Sequence, residues 1–398
     1  ATLTVSYIGY VTQSVAVTGK QPLRIVLLED QRSLNEVVVV GYGTMKKSDI
    51  TGAIASVGQG QLNKQPVANV ASALQGLASG VSVTSNSGSP GSSSTIRIRG
   101  VGTVNDAEPL YVVDGMPVTD ISYLSTSDIQ SMEILKDASA SAIYGSRGAN
   151  GVILITTQKG AVGKPTVTFN AYWGTSKLLN NLDLLTGPEW YDLQSAINKV
   201  RAAEGVNELN LKLVDRNTST DWMKAISRSA FMQDYSIGIS AGKADDYKYN
   251  LGANYLKQEG TIKKTNYERI NLRLNSEKTV IKNHFVVGTN LSIAKSNSAG
   301  INEYNNSGLY DADYGVISNA IRVEPVVPAQ KADGTYGSSP YIDYYNPLAD
   351  IVYNDQHAKD LAVIGNIYGE IEFWKGLKFK SSFGAEIRRN EASSFTPV

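Results

Sequence analysis

From residue 165 onward the chain alternates apolar and polar residues over runs too long for ordinary soluble strands. Val167, Phe169, Ala171 and Trp173 interleave with Thr168, Asn170, Tyr172 and Gly174. Phe231, Tyr235, Ile237, Ile239 and Ala241 interleave with Asp234, Ser236, Gly238 and Ser240. The stretches Tyr247–Tyr255, Arg269–Asn275, Phe285–Ile293, Leu361–Phe373 and Leu377–Ile387 repeat the pattern. Successive side chains of a strand point to opposite faces, so each run carries one apolar and one polar surface. The pattern predicts roughly seven strands, several reaching the ~9–11 residues a tilted membrane strand needs rather than the ~5–6 usual in soluble sheets. Tight turns expected near Gly242–Asp245, Ser276–Thr279 and Trp374–Gly376 alternate with longer connections after 175, 258 and 295. Short turns on one side and long loops on the other mark a transmembrane barrel. The 22 Tyr against 7 Phe fit the aromatic girdles of such a barrel. The expected fold is therefore mainly β: a transmembrane antiparallel β-barrel over 161–398, incomplete with so few strands.

Residues 50–160 read as a compact α+β domain. Val67, Val70, Ala71, Leu74 and Leu77 lie at helical spacing, which predicts a helix over Leu62–Leu77. Strands are expected at Val81–Thr84, Thr95–Arg99, Leu110–Asp114 and Val152–Thr157, with Ile129–Leu135 open between strand and helix. Residues 1–29, with short strands at Leu3–Ile8, Val11–Val17 and Leu23–Leu28, read as the end of a small β-domain. Residues 30–49 form a linker. Within it Glu36, Val37, Val38, Val39, Val40, Gly41, Tyr42 and Gly43 make a β-branched run with polar flanks and no adjacent hairpin partner. Such a run is an edge strand or a segment awaiting a strand from another protein.

Several function classes are excluded. Lys+Arg and Asp+Glu both number 37, so there is no basic excess to meet nucleic acid. There is no cysteine, and His284 and His357 lie far apart, so no metal site or cofactor is expected. No apolar run approaches the ~18–20 residues of a membrane helix, and no signal peptide opens the sequence. Gly100-Val-Gly102 lacks the third glycine of a dinucleotide loop. Asp311-Ala-Asp313-Tyr-Gly315 is out of register for a calcium loop. No nucleophile–base pair stands out, so the chain is not read as an enzyme.

Five motifs follow one another in order: Glu36–Gly43, Ile96-Arg-Ile-Arg-Gly100, Pro109-Leu-Tyr-Val-Val-Asp-Gly-Met-Pro117, Ile129–Asp137 and Ser141–Ile155. Together they closely resemble the plug domain of TonB-dependent outer-membrane transporters of the SusC-like (RagA-like) subgroup. The stretch Asn266–Asn275 extends the resemblance into the barrel. The resemblance implies that 1–29 ends a carboxypeptidase-regulatory-like β-sandwich, 50–160 is the plug, and 161–398 begins a barrel that has 22 strands in such transporters. An open sheet of seven strands would leave two unpaired edges in lipid, so further barrel polypeptide is expected.

The resemblance also implies roles. Glu36–Gly43 is similar to the TonB box, which adds as a strand to periplasmic TonB. Arg97, Arg99, Asp114, Glu133, Asp137 and Arg147 are expected to pair across the boundary between plug and barrel wall. The loops Ser85–Ser94 and Val101–Glu108 would form the plug apex, where Asn105, Asp106 and Glu108 would meet a polar substrate. Tyr310 and Tyr314, in the long loop that also carries Tyr341, Tyr344 and Tyr345, suit stacking on sugars and contact with a partner equally. The implied function is TonB-driven import of an oligosaccharide or peptide across a Gram-negative outer membrane, beneath a SusD-like surface lipoprotein, with the plug in the lumen and the N-terminal domain periplasmic. A stand-alone siderophore or vitamin transporter, or a passive scaffold or adhesin, is the alternative.

Overall fold

A computed structural model of the chain describes residues 2–5, 13–16, 25, 37–40, 43–46, 54–64, 67–103, 106–179, 182–301, 315–342 and 344–396. At the N-terminal end, β1 (Thr2–Val5) pairs antiparallel with β2 (Gln13–Ala16). The expected strand Leu23–Leu28 lies outside the described residues except for Ile25, which is not in a strand. Strand β3 (Val37–Val40) pairs antiparallel with β4 (Gly43–Lys46), so the valine run does have a local hairpin partner. The partner was missed because Gly-Thr-Met-Lys carries little β-branched character.

An inner domain follows, built from β5 (Ile54–Gly58), α1 (Gln59–Leu62), α2 (Val70–Ala73), β6 (Val81–Ser85), β7 (Ser94–Ile98), β8 (Leu110–Val113), β9 (Met116–Val118), β10 (Ile129–Leu135), α3 (Ala138–Ser141) and β11 (Val152–Thr157). Its main sheet has the order β5-β10-β11-β8-β9, and β6 pairs with β7 separately. The expected helix over Leu62–Leu77 is two short helices instead. Pro66 can donate no backbone hydrogen bond. Asn69 then starts α2 by accepting from the Ala71 amide, and the helix ends at its C-cap Leu74, whose amide donates to the Ala71 carbonyl. The ambiguous stretch Ile129–Leu135 is a strand, held between β5 and β11. Strand β9 was not anticipated, although Asp114-Gly115 announces it. Both residues have positive φ (+48° and +83°) and close a two-residue hairpin that pairs Val113 with Met116.

Every residue of β8 and β11 is buried, as expected of a parallel pair covered on both faces. One face packs Tyr111, Val113, Ile153 and Ile155 against Leu62, Leu74, Ile96 and Leu124. The other packs Leu110, Val112, Val152 and Leu154 against Leu135. Burying one such Ile or Leu side chain stabilises the domain by roughly 1.5–3 kcal/mol.

The remaining strands form a wall. They are β12 (Gly163–Ser176), β13 (Ala230–Lys243), β14 (Tyr247–Glu259), β15 (Asn266–Ile281), β16 (Phe285–Gly300), β17 (Asp355–Trp374) and β18 (Leu377–Phe395), each pairing antiparallel with the next in one seven-stranded sheet. The sheet is open, with β12 and β18 at its edges. Its alternation is as the sequence predicts. Phe169, Ile237, Leu251, Ile270, Leu272, Ile367 and Phe383 are exposed on the outer face, whereas Ser236, Asn250, Asn254, Asn271, Ser292 and Asn366 are buried on the inner one. Two aromatic bands cross the outer face. At the long-loop end the Trp173 indole donates to the Tyr235 hydroxyl at 2.7 Å and Tyr235 stacks on Tyr255. At the short-turn end Tyr247 stacks on Tyr249 and Phe373 tilts against Trp374. Such paired bands mark the two water–lipid boundaries.

The turn expected at Ser276–Thr279 is an error in the sequence reading, since those residues lie inside β15. Glu277 and Lys278 look like turn residues but are satisfied across the sheet by Lys248 and Asp246. The chain reverses after Ile281, where Asn283 takes φ +61°, a conformation Asn tolerates well.

The outward orientation carries a depth-dependent prediction. Ile237→Arg or Leu251→Arg, between the two bands, should cost about 2–4 kcal/mol of folding stability in lipid, whereas Ile281→Arg beside the short turn should cost about 0–1 kcal/mol. Urea titration of folding into vesicles reads both, and equal costs would contradict the placement.

The long connections make a second apolar cluster at the far end of the wall. Two helices lie in the first loop, α4 (Gly187–Ala203) and α5 (Trp222–Ile226); α6 (Val316–Arg322) and α7 (Pro347–Tyr353) lie in the last. Trp222, Met223 and Ile226 pack against Ile262 from the short connection 260–265 and against Val316, Ala320, Val323 and Ile351. The loops thus fold on one another.

Candidate functional site: the boundary between inner domain and wall

The inner domain lies against the polar face of the wall, and β15 provides most of the grip. Its period-two geometry brings Arg269, Asn271, Arg273 and Asn275 to one face. Arg269 is buried and donates from Nη1 to the carbonyls of Ala68 at 3.1 Å and Ser122 at 2.6 Å. Asn271 donates to the Tyr123 carbonyl at 2.5 Å. Arg273 donates from Nε to Asp128 Oδ1 at 3.1 Å, from Nη1 to the Gln158 carbonyl at 2.7 Å and from Nη2 to Asn250 Oδ1 at 2.9 Å. Asn275 donates to Thr157 Oγ1 at 2.6 Å and to the Gln158 carbonyl at 2.8 Å. Four consecutive inward positions of one strand therefore hold residues 68, 122–128 and 157–158 of the inner domain.

The Arg273–Asp128 ion pair is the buried heart of this ladder, with side-chain exposures of 3% and 5%. Such a pair persists only when its remaining hydrogen-bonding groups are satisfied. Here Asn250 and the Gln158 carbonyl accept from the guanidinium, and the Ser125 amide donates to Asp128 Oδ2 at 3.4 Å. Gly252 makes room for it: a Cβ there would stand 3.2 Å from Asp128 Oδ1.

A second contact lies on β18. Arg388 donates to Asp120 Oδ2 at 3.1 Å and to the Asp120 carbonyl at 2.7 Å, and its guanidinium lies 5.6 Å from the centre of the Tyr123 ring. Thr119 donates from Oγ1 to Glu386 Oε1 at 2.8 Å. Burial pushes the Tyr123 and Tyr111 phenols well above their ordinary range. Apolar contact seals the same boundary, with Ala294, Ala362 and Ile364 of the wall packed into the inner domain's core.

Several of the charges expected to pair across this boundary make bonds within the inner domain. Asp137 caps α3, accepting from the Ala140 amide at 2.8 Å. The Asp114 carboxylate accepts from the Thr157 amide at 3.0 Å and its hydroxyl at 2.6 Å inside the domain, and meets the wall through its carbonyl, which accepts from Asn366. Arg97 donates to the carbonyl of Ile96. Arg99 holds a positive φ of +56° at the end of β7, Glu133 is buried on β10, and Arg147 is exposed on a short helical turn. The ladder itself uses other residues, because it is set by the wall strand that faces the inner domain. Its signal was in the sequence, as Arg or Asn at every second position from 269 to 275.

Asp106 and Glu108 are exposed in one loop, where Asp106 Oδ1 accepts from the Glu108 amide at 2.9 Å and Asn150 donates to both backbone carbonyls. Asn105, Tyr310, Tyr314, Glu36, Gly41 and Tyr42 lie outside the described residues. The loop between β6 and β7 does reach the long-loop end of the wall. A Cβ on its Gly91 would meet the Tyr267 ring at 2.2 Å, and Pro90 lies beside Gly260.

With this geometry in view, comparison with known proteins is informative. The TonB-dependent Receptor Plug Domain family matches residues 46–152. TonB-dependent receptor P3 of Formosa agariphila is 36% identical over all of this chain and 38% of its own length. TonB-dependent receptor SusC of Bacteroides thetaiotaomicron is 32% identical over 96% of this chain and 40% of its own. The structure of the RagAB peptide importer in its open-open state superposes with a TM-score of 0.77 at 29% identity, covering 90% of this chain and 43% of that one. The chain spans about two fifths of the length of the curated relatives it matches.

Proposed function

We propose that this chain, which belongs to the SusC-like TonB-dependent receptors and corresponds to their N-terminal portion, serves TonB-driven import of a polar nutrient, an oligosaccharide or a peptide, across the outer membrane. The observation that carries this reading is the inner domain fixed to the polar face of a membrane wall by the Arg269–Asn275 ladder. A passive scaffold or adhesin has no use for a folded domain bonded to its lumen. An importer needs one that seals the pore at rest and can be displaced.

The coupling segment in this reading is Glu36–Gly43. Strand addition to TonB needs free backbone groups and β-propensity rather than particular side chains. At rest Val37–Val40 pairs with Gly43–Lys46, so TonB would replace a four-residue partner. Force on β3 would then pass to β5, which among the described residues is an edge strand of the plug sheet paired with β10.

A SusD-like surface lipoprotein is the proposed partner. The described parts of the loops after β12 and β16 fold together at the end opposite the tight turns. They expose Leu179, Leu193, Val200, Ile317 and Tyr345, apolar positions that suit a large contact. Pull-down on the full-length receptor after mild detergent extraction should recover a surface lipoprotein at about one to one. Recovery of the receptor alone, under conditions that keep other outer-membrane complexes intact, would favour a stand-alone transporter.

A further inference from the structure

A cavity of about 410 Å³ lies between the first and last long loops, lined by Leu182, Leu185, Trp190, Asp221, Arg322 and Glu324 among others. Its size is that of a small-ligand pocket. Glu324 is its unusual member. The residue is 6% exposed, and its Oε1 accepts from Ser339 Oγ at 3.1 Å, while Oε2 has no hydrogen-bond partner among the described residues. A carboxylate oxygen taken out of water without a donor is costly, and burial accordingly pushes this carboxyl above its usual range. The backbone at Glu324 is firmly placed, since its carbonyl accepts from the Trp222 indole at 3.2 Å. The side chain is thus held in position.

The charge around the cavity has one sign in excess. Asp183, Asp221 and Glu324 stand against the single guanidinium of Arg322 on the lining. The apolar part is aliphatic as well as aromatic. Leu182 and Leu185 are exposed, and Trp190 stacks on Tyr341 at 5.9 Å, which steadies the indole. Neutral sugars would stack on the indole and donate hydroxyls to the carboxylates, but they would leave the two leucines without an apolar partner.

We propose that this cavity is a subsite for a peptide residue that presents a cationic group beside an apolar side chain, with the cation bonding Glu324 and the apolar part lying on Leu182, Leu185 and Trp190. The proposal rests on the import reading and narrows its substrate to peptides.

The test is calorimetric binding to the full-length receptor purified in detergent. The probes are N-acetyl-Leu-Lys-Leu-amide, its glutamate counterpart and maltotriose. The lysine peptide should bind tightest. Glu324→Gln, which keeps the bond to Ser339, should weaken the lysine peptide by about tenfold or more and leave the glutamate peptide unchanged or improved. Leu185→Ser, at an exposed position that does not threaten folding and without a new charge, should weaken the lysine peptide measurably through its apolar contact. Equal binding of the two peptides, preference for maltotriose, or lysine-peptide affinity indifferent to both substitutions would overturn the proposal. Energy-dependent uptake is measured separately: binding without uptake would leave the subsite standing and sink the import reading, and uptake without binding here would do the reverse.

Discussion

Arg273→Leu in the full-length receptor is expected to raise amide exchange in β10, β11 and residues 122–128 by about two to three powers of ten while leaving the wall strands protected. The substitution strands the Asp128 carboxylate, whose side chain is 5% exposed, beside a leucine. It also removes the donors to Gln158 and Asn250. Breaking a buried ion pair from one side costs about 3–5 kcal/mol, and each 1.4 kcal/mol is about tenfold in an equilibrium constant. The pair is local to the boundary, so the loss should appear as local opening of the plug rather than as unfolding of the wall. The double variant Arg273→Met with Asp128→Leu removes both charges and should recover most of the protection. If the single variant exchanged like the parent, the pair would be ornamental and the ladder would rest on its amides. If the double variant were worse than the single, the account of the cost as an uncompensated charge would be wrong.

The wall was legible because its information is local. Alternation from Val167 to Ile387 fixes which face of each strand meets lipid, whichever strands are neighbours. The error at Ser276–Thr279 arose where local reading fails: polar residues there are held across the sheet by Lys248 and Asp246, which lie near the preceding turn. The plug's strands were likewise readable, except β9, whose Asp-Gly turn was written in the chain but not weighed. The helix over Leu62–Leu77 failed because periodicity was read through Pro66 and Asn69, two residues that end and restart helices.

The site was less legible than the fold. Arg273 and Asp128 are separated by 145 residues, and nothing in either neighbourhood names the other. Charges in recognisable motifs, such as Asp137, drew attention but turned out to cap a helix. Glu324 had no sequence signature at all, since its burial depends on how two distant loops pack.

The proposed energy-driven import through a plugged barrel is tested most directly at the coupling segment. Deleting Glu36–Gly43 from the full-length receptor removes β3 and the first residue of its hairpin partner but none of the residues in the ladder. The plug should stay seated, the loops should stay folded, and ligand should still bind at the cell surface. What is lost is the backbone on which TonB would pull, so energy-dependent uptake should fall to background. The measurement is a paired assay in whole cells, surface binding at low temperature and accumulation at growth temperature, on the deletion and the parent. Normal binding with no accumulation is the predicted result, and normal accumulation in the deletion would contradict the account.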